Sequence, residues 1–517
     1  MEFKLNRETV PATETIYDGI QEQSVELDYI LPDYYPDIFR IVRCEVTPSI
    51  TDHSVSGSRL AYELQCDIRM IYCSEDGSAL QCINQRQTFS RSAELGRDPG
   101  NVSVRLVPKA DHMNYRAVNK RRLDLRGAVS VKISVTGEKQ QEVISDASGM
   151  NIQLRRTPVR FASKSLSAEK NIQLSEDIEL SAAQSPVTGM IRCRCTVSGC
   201  EKKLISGKLM VKGELSADLL CACGHDDTVT VEAMDFSLPF SQIIDMDGLD
   251  DTFECSIAPE VVSCDVTPAA GRNGEDRTLH FEAELRLSCR AVRTSSVMIC
   301  TDAYSTLYPC EVSVSEVTAE QLPVVYDKEF RSTSVLAEGD SLPDKVFAVW
   351  CTPKNINTHA SEDGKSLIIS GMLTYSTAAR DASGMITISD KDEAFEGTAD
   401  IGEDLRNCRI TADISTGSVD YNISPEGVMT GKADISARIS VSGCDSILAV
   451  TDISVDDSAK KPRDGDYSIK LYFGAENEEI WDIAKRYSTD VSAVMEENDL
   501  SGDRLEKGGM LLIPIIT

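Results

Sequence analysis

The chain has 517 residues, 41% of them hydrophobic and 26% charged, with a formal net charge of −30. That length fits three or four domains with real cores, and so acidic a surface repels nucleic-acid phosphates and anionic lipid headgroups, so neither is expected as a partner. No run approaches the ~20 apolar residues of a membrane-spanning helix. The N-terminal MEFKLNRETVPATETIYD has no apolar signal core, and 17 cysteines are an odd count in a long chain. Both point to reduced thiols in a cytoplasm.

In chain order, the first segment reads IYDGIQEQSVELDYILPDYYPDIFRIVRCEV, and a later one VVYDKEFRSTSVLAEGDSLPDKVFAVWCTP. Both place Tyr-Asp (Tyr17-Asp18, Tyr326-Asp327) ahead of Leu-Pro-Asp (31–33, 342–344), and then a cysteine in a strand-like run, Cys44 and Cys351. The middle stretch SPVTGMIRCRCTV keeps Pro186 and Cys195 without the Leu-Pro-Asp signature. Each copy continues with long alternating segments, RLAYELQCDIRMIYCSEDG, KLMVKGELSADLLCACGHDD and SLIISGMLTYSTAARDASG. Each closes on another strand-rich half, RRLDLRGAVSVKISVTG, RTLHFEAELRLSCRAV and GKADISARISVSGCDS. Period-2 alternation between Gly, Asp and Ser turns argues for β-sandwich units, not a solenoid. The expected boundaries are 1–165, 166–325 and 326–456, followed by a polar linker at 457–466 and a separate module at 467–517.

Chemistry-bearing clusters are sparse. Cys193-x-Cys195, Cys200 and Cys221-x-Cys223-Gly-His225 invite a metal reading, but zinc pairs usually sit two to four residues apart in tight turns. Here the spacing of two belongs to alternating strands, so these are expected to be core cysteines, with no metal ligand among them. Of the five histidines, His53, His112, His225, His280 and His359, none lies in a nucleophile or metal motif. No GxSxG, HExxH or phosphate loop occurs, and GRNGEDR at 271–277 lacks the strand that a dinucleotide fold needs. The acidic pairs Asp226-Asp227, Asp250-Asp251 and Asp456-Asp457 read as solvated loops. Neither an enzyme nor a cofactor is expected. Arg121 and Arg122 are expected to pair with local acids.

The tail, YSIKLYFGAENEEIWDIAKRYSTDVSAVMEENDLSGDRLEKGGMLLIPIIT, reads strand, helix, helix, strand. Gly474 stops the first strand. Ile480, Ile483, Ala484 and Tyr487 form one apolar stripe, and Trp481 lies off it, open to packing or partner contact. Asp490 stands at an N-cap position before Val491, Val494 and Met495. Gly508-Gly509 precedes the closing strand MLLIP.

This order, with WDIAKRY and the LLIP ending, resembles a LysM module. Members that bind N-acetylglucosamine chains usually carry a Gly-Asp/Glu-Ser/Thr turn before the first helix, where this chain has Asn477, Glu478 and Glu479. Asparagine still visits positive φ, and with Glu479 in place of the hydroxyl cap, Asn477 is a candidate to take over the capping role. Ten acidic against five basic residues suit a basic protein surface at least as well as neutral sugar. The resemblance puts the recognition groove at 474–479 and 498–504, so Asn477, Glu478, Glu479, Trp481, Asp499, Leu500 and Arg504 are its expected contacts, with Leu500 and Trp481 as anchors.

LPDYYPDIFRI, the repeats and the terminal module together resemble the SPOCS-repeat, SipL-type spore-coat morphogenetic proteins of spore-forming Firmicutes. The resemblance implies a mainly β chain, three β-sandwich-like repeats and a small βααβ module. It further implies a mother-cell protein at the forespore surface that couples the coat's basement-layer ATPase to the engulfing membrane region and helps encase the spore, with that ATPase and other spore-coat proteins as partners. A peptidoglycan-binding wall protein is the alternative.

Overall fold

The computed structural model describes residues 3–74, 80–98, 102–225, 228–269, 277–320, 324–402, 404–406, 408–462 and 468–515. Alternating sequence makes long strands, and the strands recur in one order. The first set is β1 (Lys4–Ile30), β2 (Ile38–Ser56), β3 (Arg59–Ser74), β4 (Leu80–Glu94), β5 (Val102–Asn119) and β6 (Arg122–Ser148). The second is β7 (Ile152–Glu179), β8 (Val187–Ile205), β9 (Lys208–His225), β10 (Thr228–Asp245), β11 (Glu254–Ala269) and β12 (Thr278–Ser305). The third is β13 (Cys310–Glu320), β14 (Val324–Glu338), β15 (Lys345–Ala360), β16 (Ser366–Arg380), β17 (Ile386–Asp400), β18 (Cys408–Ile423) and β19 (Val428–Val455).

In each set the middle three strands form a meander: β2-β3-β4, β8-β9-β10 and β15-β16-β17. The flanking strands make a second sheet, β1-β6-β5, β7-β12-β11, and β13 with β14 beside β19 beside β18. All of these pairings are antiparallel, so each set is a two-sheet sandwich. Its core is filled from both sheets: Val25, Leu64, Ile68 and Val131 in the first, Leu215, Leu219, Phe281 and Leu285 in the second. Tyr375, Leu373, Ile435 and Ile439 do the same in the third.

The three sandwiches share two further cores. Ile71 and Cys73, Ile191 and Leu220, and Trp350 and Ala378 meet at the inner sheets. Val10 and Val143, Phe161 and Ile299, and Val317 and Ala449 meet at the outer ones. This explains where the alternation breaks. β3 runs exposed-buried as far as Glu63 and is then buried on almost every residue to Ser74. From Met70 onward one face of the strand lies on its own partner sheet and the other, Ile71 and Cys73, on neighbouring sandwiches, so both faces are apolar or small. DLLCAC in β9 and YSTAA in β16 have the same cause.

The Leu-Pro-Asp turn has a job. Arg121 reaches from the β5–β6 turn, donating to the carbonyls of Leu31, Pro32 and Tyr35 and pairing with Asp37 at 2.7 Å. Arg277 does likewise in the second set, donating to the carbonyls of Ser181 and Gln184. Arg122 pairs with Asp28. The expected turn residues 271–276 and the pair Asp226-Asp227 lie outside the described residues, as does the His225 side chain. Asp250 is tied to Thr252 and Arg293, and Asp456 caps Ser458.

The tail forms β20 (Ile469–Gly474), α1 (Ile480–Arg486), α2 (Val491–Glu497) and β21 (Gly509–Pro514), with β20 antiparallel to β21. A Cβ at Gly474 would run into Leu505, which is why the strand ends there on glycine. Asp490 accepts from the Ser492 N–H at 2.8 Å and caps α2. Ile480, Ile483 and Ala484 are buried with Val494, Leu505 and Ile513.

Candidate functional site

Asn477 adopts φ of 64°, the left-handed conformation its side chain tolerates. It does not cap α1. Glu479 stands at the N-cap, and its side chain makes no cap bond. That side chain is instead held between two arginines, Arg504 across the groove and Arg155 of β7 at 2.7 Å. The Arg155 bond keeps the Glu479 carboxyl below its usual range against the opposing effect of burial, with the charges of Arg155 and then Arg504 adding to it. Glu478 accepts from the Tyr472 hydroxyl at 2.7 Å and the Ala475 N–H at 3.0 Å, and it pairs with Arg486.

The two groove loops are laced together. The Asn477 N–H donates to Leu505, the Leu505 N–H to Glu478 and the Ile480 N–H to Asp503, at 2.8, 3.0 and 3.0 Å. Leu500 is half-buried and packs on the module's own core. Asn477, Asp499 and Arg504 are exposed.

Trp481 is engaged by the body of the chain. Its ring N–H donates to Asp302 at 2.8 Å, and its ring meets Tyr304 edge-on at 5.0 Å, both residues lying at the end of β12. Lys485 reaches the same carboxylate at 2.7 Å. The Tyr304 hydroxyl donates to the Thr489 carbonyl at 2.7 Å, and Gln153 donates to Asp490 at 2.8 Å. Lys461, from the linker, bonds Ser305 and Ser488. The polar linker thus leads into a module seated on the second sandwich. Residues 463–467 lie outside the described residues.

Sequence reasoning missed a bare apolar face. Ile469, Leu471, Phe473 and Met510 are 45, 62, 76 and 68% exposed. The register sets Leu471 against Leu512 and Phe473 against Met510, so these side chains share the outer face of the two-stranded sheet. The signal was there in LYF and MLLIP, whose alternate residues are all apolar. In a two-stranded sheet with one face on the helices, the other face has nothing to cover it.

The chain joins a repeated two-sheet β architecture to a terminal βααβ module, an architecture that does not by itself fix a function. Residues 476–514 match the LysM domain, and residues 186–268 match the SipL, SPOCS domain. The chain is thus a SPOCS-bearing β protein with a C-terminal LysM domain. The first family is sporulation-related and the second of the peptidoglycan-binding type, and both are non-catalytic. The SPOCS match falls on β8 to β11 of the second sandwich, not on the first, whose LPDYYPDIFRI carried the resemblance. No curated protein and no solved structure matches the chain. No helix among the described residues is long and apolar enough to cross a membrane.

The docked module yields a first expected result. The chain has two tryptophans, so in a Trp350→Phe background Trp481 is the sole emitter. Asp302→Ala removes a charged acceptor bond, a loss of about 1–3 kcal/mol, and the Trp481 emission shifts to the red as the module lifts. Acid gives the same shift. Because the folded Glu479 value is depressed, the Arg155 bridge contributes in full above glutamate's ordinary 4.5 and is lost as pH falls through the lowered value. Emission indifferent to both changes would show that the module is not held there.

Proposed function

We propose that this chain is a non-enzymatic adaptor of endospore coat assembly. Its three β sandwiches are the platform for other spore-coat proteins, and its LysM module grips a coat basement-layer ATPase at the forespore surface, on the mother-cell side. The SPOCS match supports the sporulation setting. The observation that carries a protein partner is the bare face of Ile469, Leu471, Phe473 and Met510. A contiguous aliphatic and aromatic surface favours another protein's apolar patch. The groove supports the same reading, since Glu479 is already committed to two arginines and the loops are bonded to each other. Asn477 and Asp499, both exposed, add polar contacts at the rim.

The LysM match favours one second reading, an N-acetylglucosamine glycan of peptidoglycan. Full-length protein separates the two in paired assays, coprecipitation with the ATPase and sedimentation with purified peptidoglycan. On the adaptor reading, Phe473→Asp leaves the fold intact and weakens ATPase binding at least tenfold, about 1.4 kcal/mol. Wild-type affinity in that variant, together with sedimentation competed by chitin oligomers, would transfer the function to glycan.

A further inference from the structure

Three thiols converge where β8 meets β11. Cys193 and Cys195 sit two residues apart on β8, and Cys264 comes from the facing sheet of the same sandwich. The Cys195 and Cys264 sulfurs are 2.6 Å apart, and the Cys193 and Cys195 sulfurs 3.6 Å. All three lie within 4.8 Å of one another. They line a cleft of about 1240 Å³ bounded by all three sandwiches through β2, β8 and β15.

This trio is not a general feature of the repeat. Arg43, Arg192 and Trp350 are each the sixth residue of their strand, β2, β8 and β15, so they are equivalent positions, and they meet at the shared core with the guanidiniums 5.6 and 4.8 Å from the ring. The next residues, Cys44, Cys193 and Cys351, are therefore equivalent, which corrects the matching of Cys195 to the other two. Two residues further on, the first and third sandwiches carry Val46 and Pro353, and only the second has a cysteine.

We propose that Cys193, Cys195 and Cys264 bind one thiophilic divalent cation of the zinc type, its fourth position open to the cleft. A disulfide uses two sulfurs and leaves the third unused; three thiolates on a tetrahedral ion at about 2.3 Å sit roughly 3.8 Å apart, a separation the Cys193–Cys195 pair nearly has and the Cys195–Cys264 pair opens to reach. Each coordinating thiol loses its proton to solvent on binding. Three thiolates around a dication leave one negative charge, which Arg69 and Arg192 offset. The ion would staple the two sheets of the second sandwich at the rim of the cleft.

Reduced full-length protein titrated with Co²⁺ under argon is the test. One equivalent should produce thiolate-to-cobalt charge transfer and tetrahedral d–d bands, both removed by Zn²⁺. Cys264→Ser should weaken the metal beyond the roughly 10- to 100-fold that loss of an outer-shell partner costs. Cys200→Ser, a half-buried thiol of the same core, should bind as wild type. A measurement on the wild-type chain covers the case in which Cys264→Ser misfolds: Zn²⁺ should protect Cys193, Cys195 and Cys264, and no other thiol, from alkylation mapped by mass spectrometry. Absent thiolate bands, equal alkylation with and without zinc, or a Cys195–Cys264 disulfide that forms in place of metal uptake would each overturn the site.

Discussion

Ile483→Ala is expected to unfold the LysM module while the β sandwiches stay intact. Ile483 is 0% exposed and packs with Ile480, Ala484, Val494, Leu505 and Ile513. Truncating a fully buried isoleucine costs about 2–5 kcal/mol through lost transfer energy and the cavity left behind. A core this small supplies only about 3–5 kcal/mol in total, so the loss is of the size of the module's stability. Tyr304 belongs to the same cluster, but its sandwich has an independent core and remains folded. Peptide-resolved hydrogen exchange reads the result directly: amides across α1 and α2 lose protection, and those of β9 and β12 keep it. Retained protection across α1 would contradict the packing described. The variant also controls the partner assay, since Phe473→Asp must weaken binding without this loss of protection.

Trp350→Ala should be the most damaging single change in the body. Trp350 is 8% exposed and sits where the three inner sheets meet, flanked by Arg43 and Arg192. Removing a buried aromatic costs about 3–5 kcal/mol, and each guanidinium loses a ring contact worth ~0.5–2 kcal/mol. One effect opposes this: the Trp350 ring N–H is buried without a hydrogen-bond partner among the described residues, so its removal relieves a small penalty. Trp350→Phe isolates the two contributions. It keeps a ring for the arginines, deletes the orphaned donor and leaves a smaller cavity, so it should cost well under the about 3–5 kcal/mol of alanine. Urea unfolding followed by circular dichroism should give a large fall in midpoint for alanine and a small one for phenylalanine. Equal, small falls would mean that the shared core does not hold the sandwiches together. Arg192 is the sensitive neighbour, its guanidinium being already driven down to about 10 by burial.

Local pattern determined much of this protein. Alternation in RLAYELQ, KLMVKGEL and SLIIS is a period-2 signal that any strand with one buried face must carry, so the β class and the repeat were legible without coordinates. The module was legible for the same reason: a 3.6-residue stripe, an Asp490 cap and a glycine stop each act within a few residues of themselves. Asn477 could be read as a left-handed residue because that preference belongs to the side chain alone. What only the tertiary structure decided are meetings between residues far apart in the chain. Asp302 and Trp481 are separated by 179 positions, and no pattern near either announces the other. Cys264 carries no motif of its own, and it becomes a third sulfur only because β11 of one sheet crosses β8 of the other. The last residues of β3, β9 and β16 read in the sequence as continued alternation. They are apolar on both faces because three sandwiches share one centre, and a strand's sequence records how many of its faces are covered but not by what.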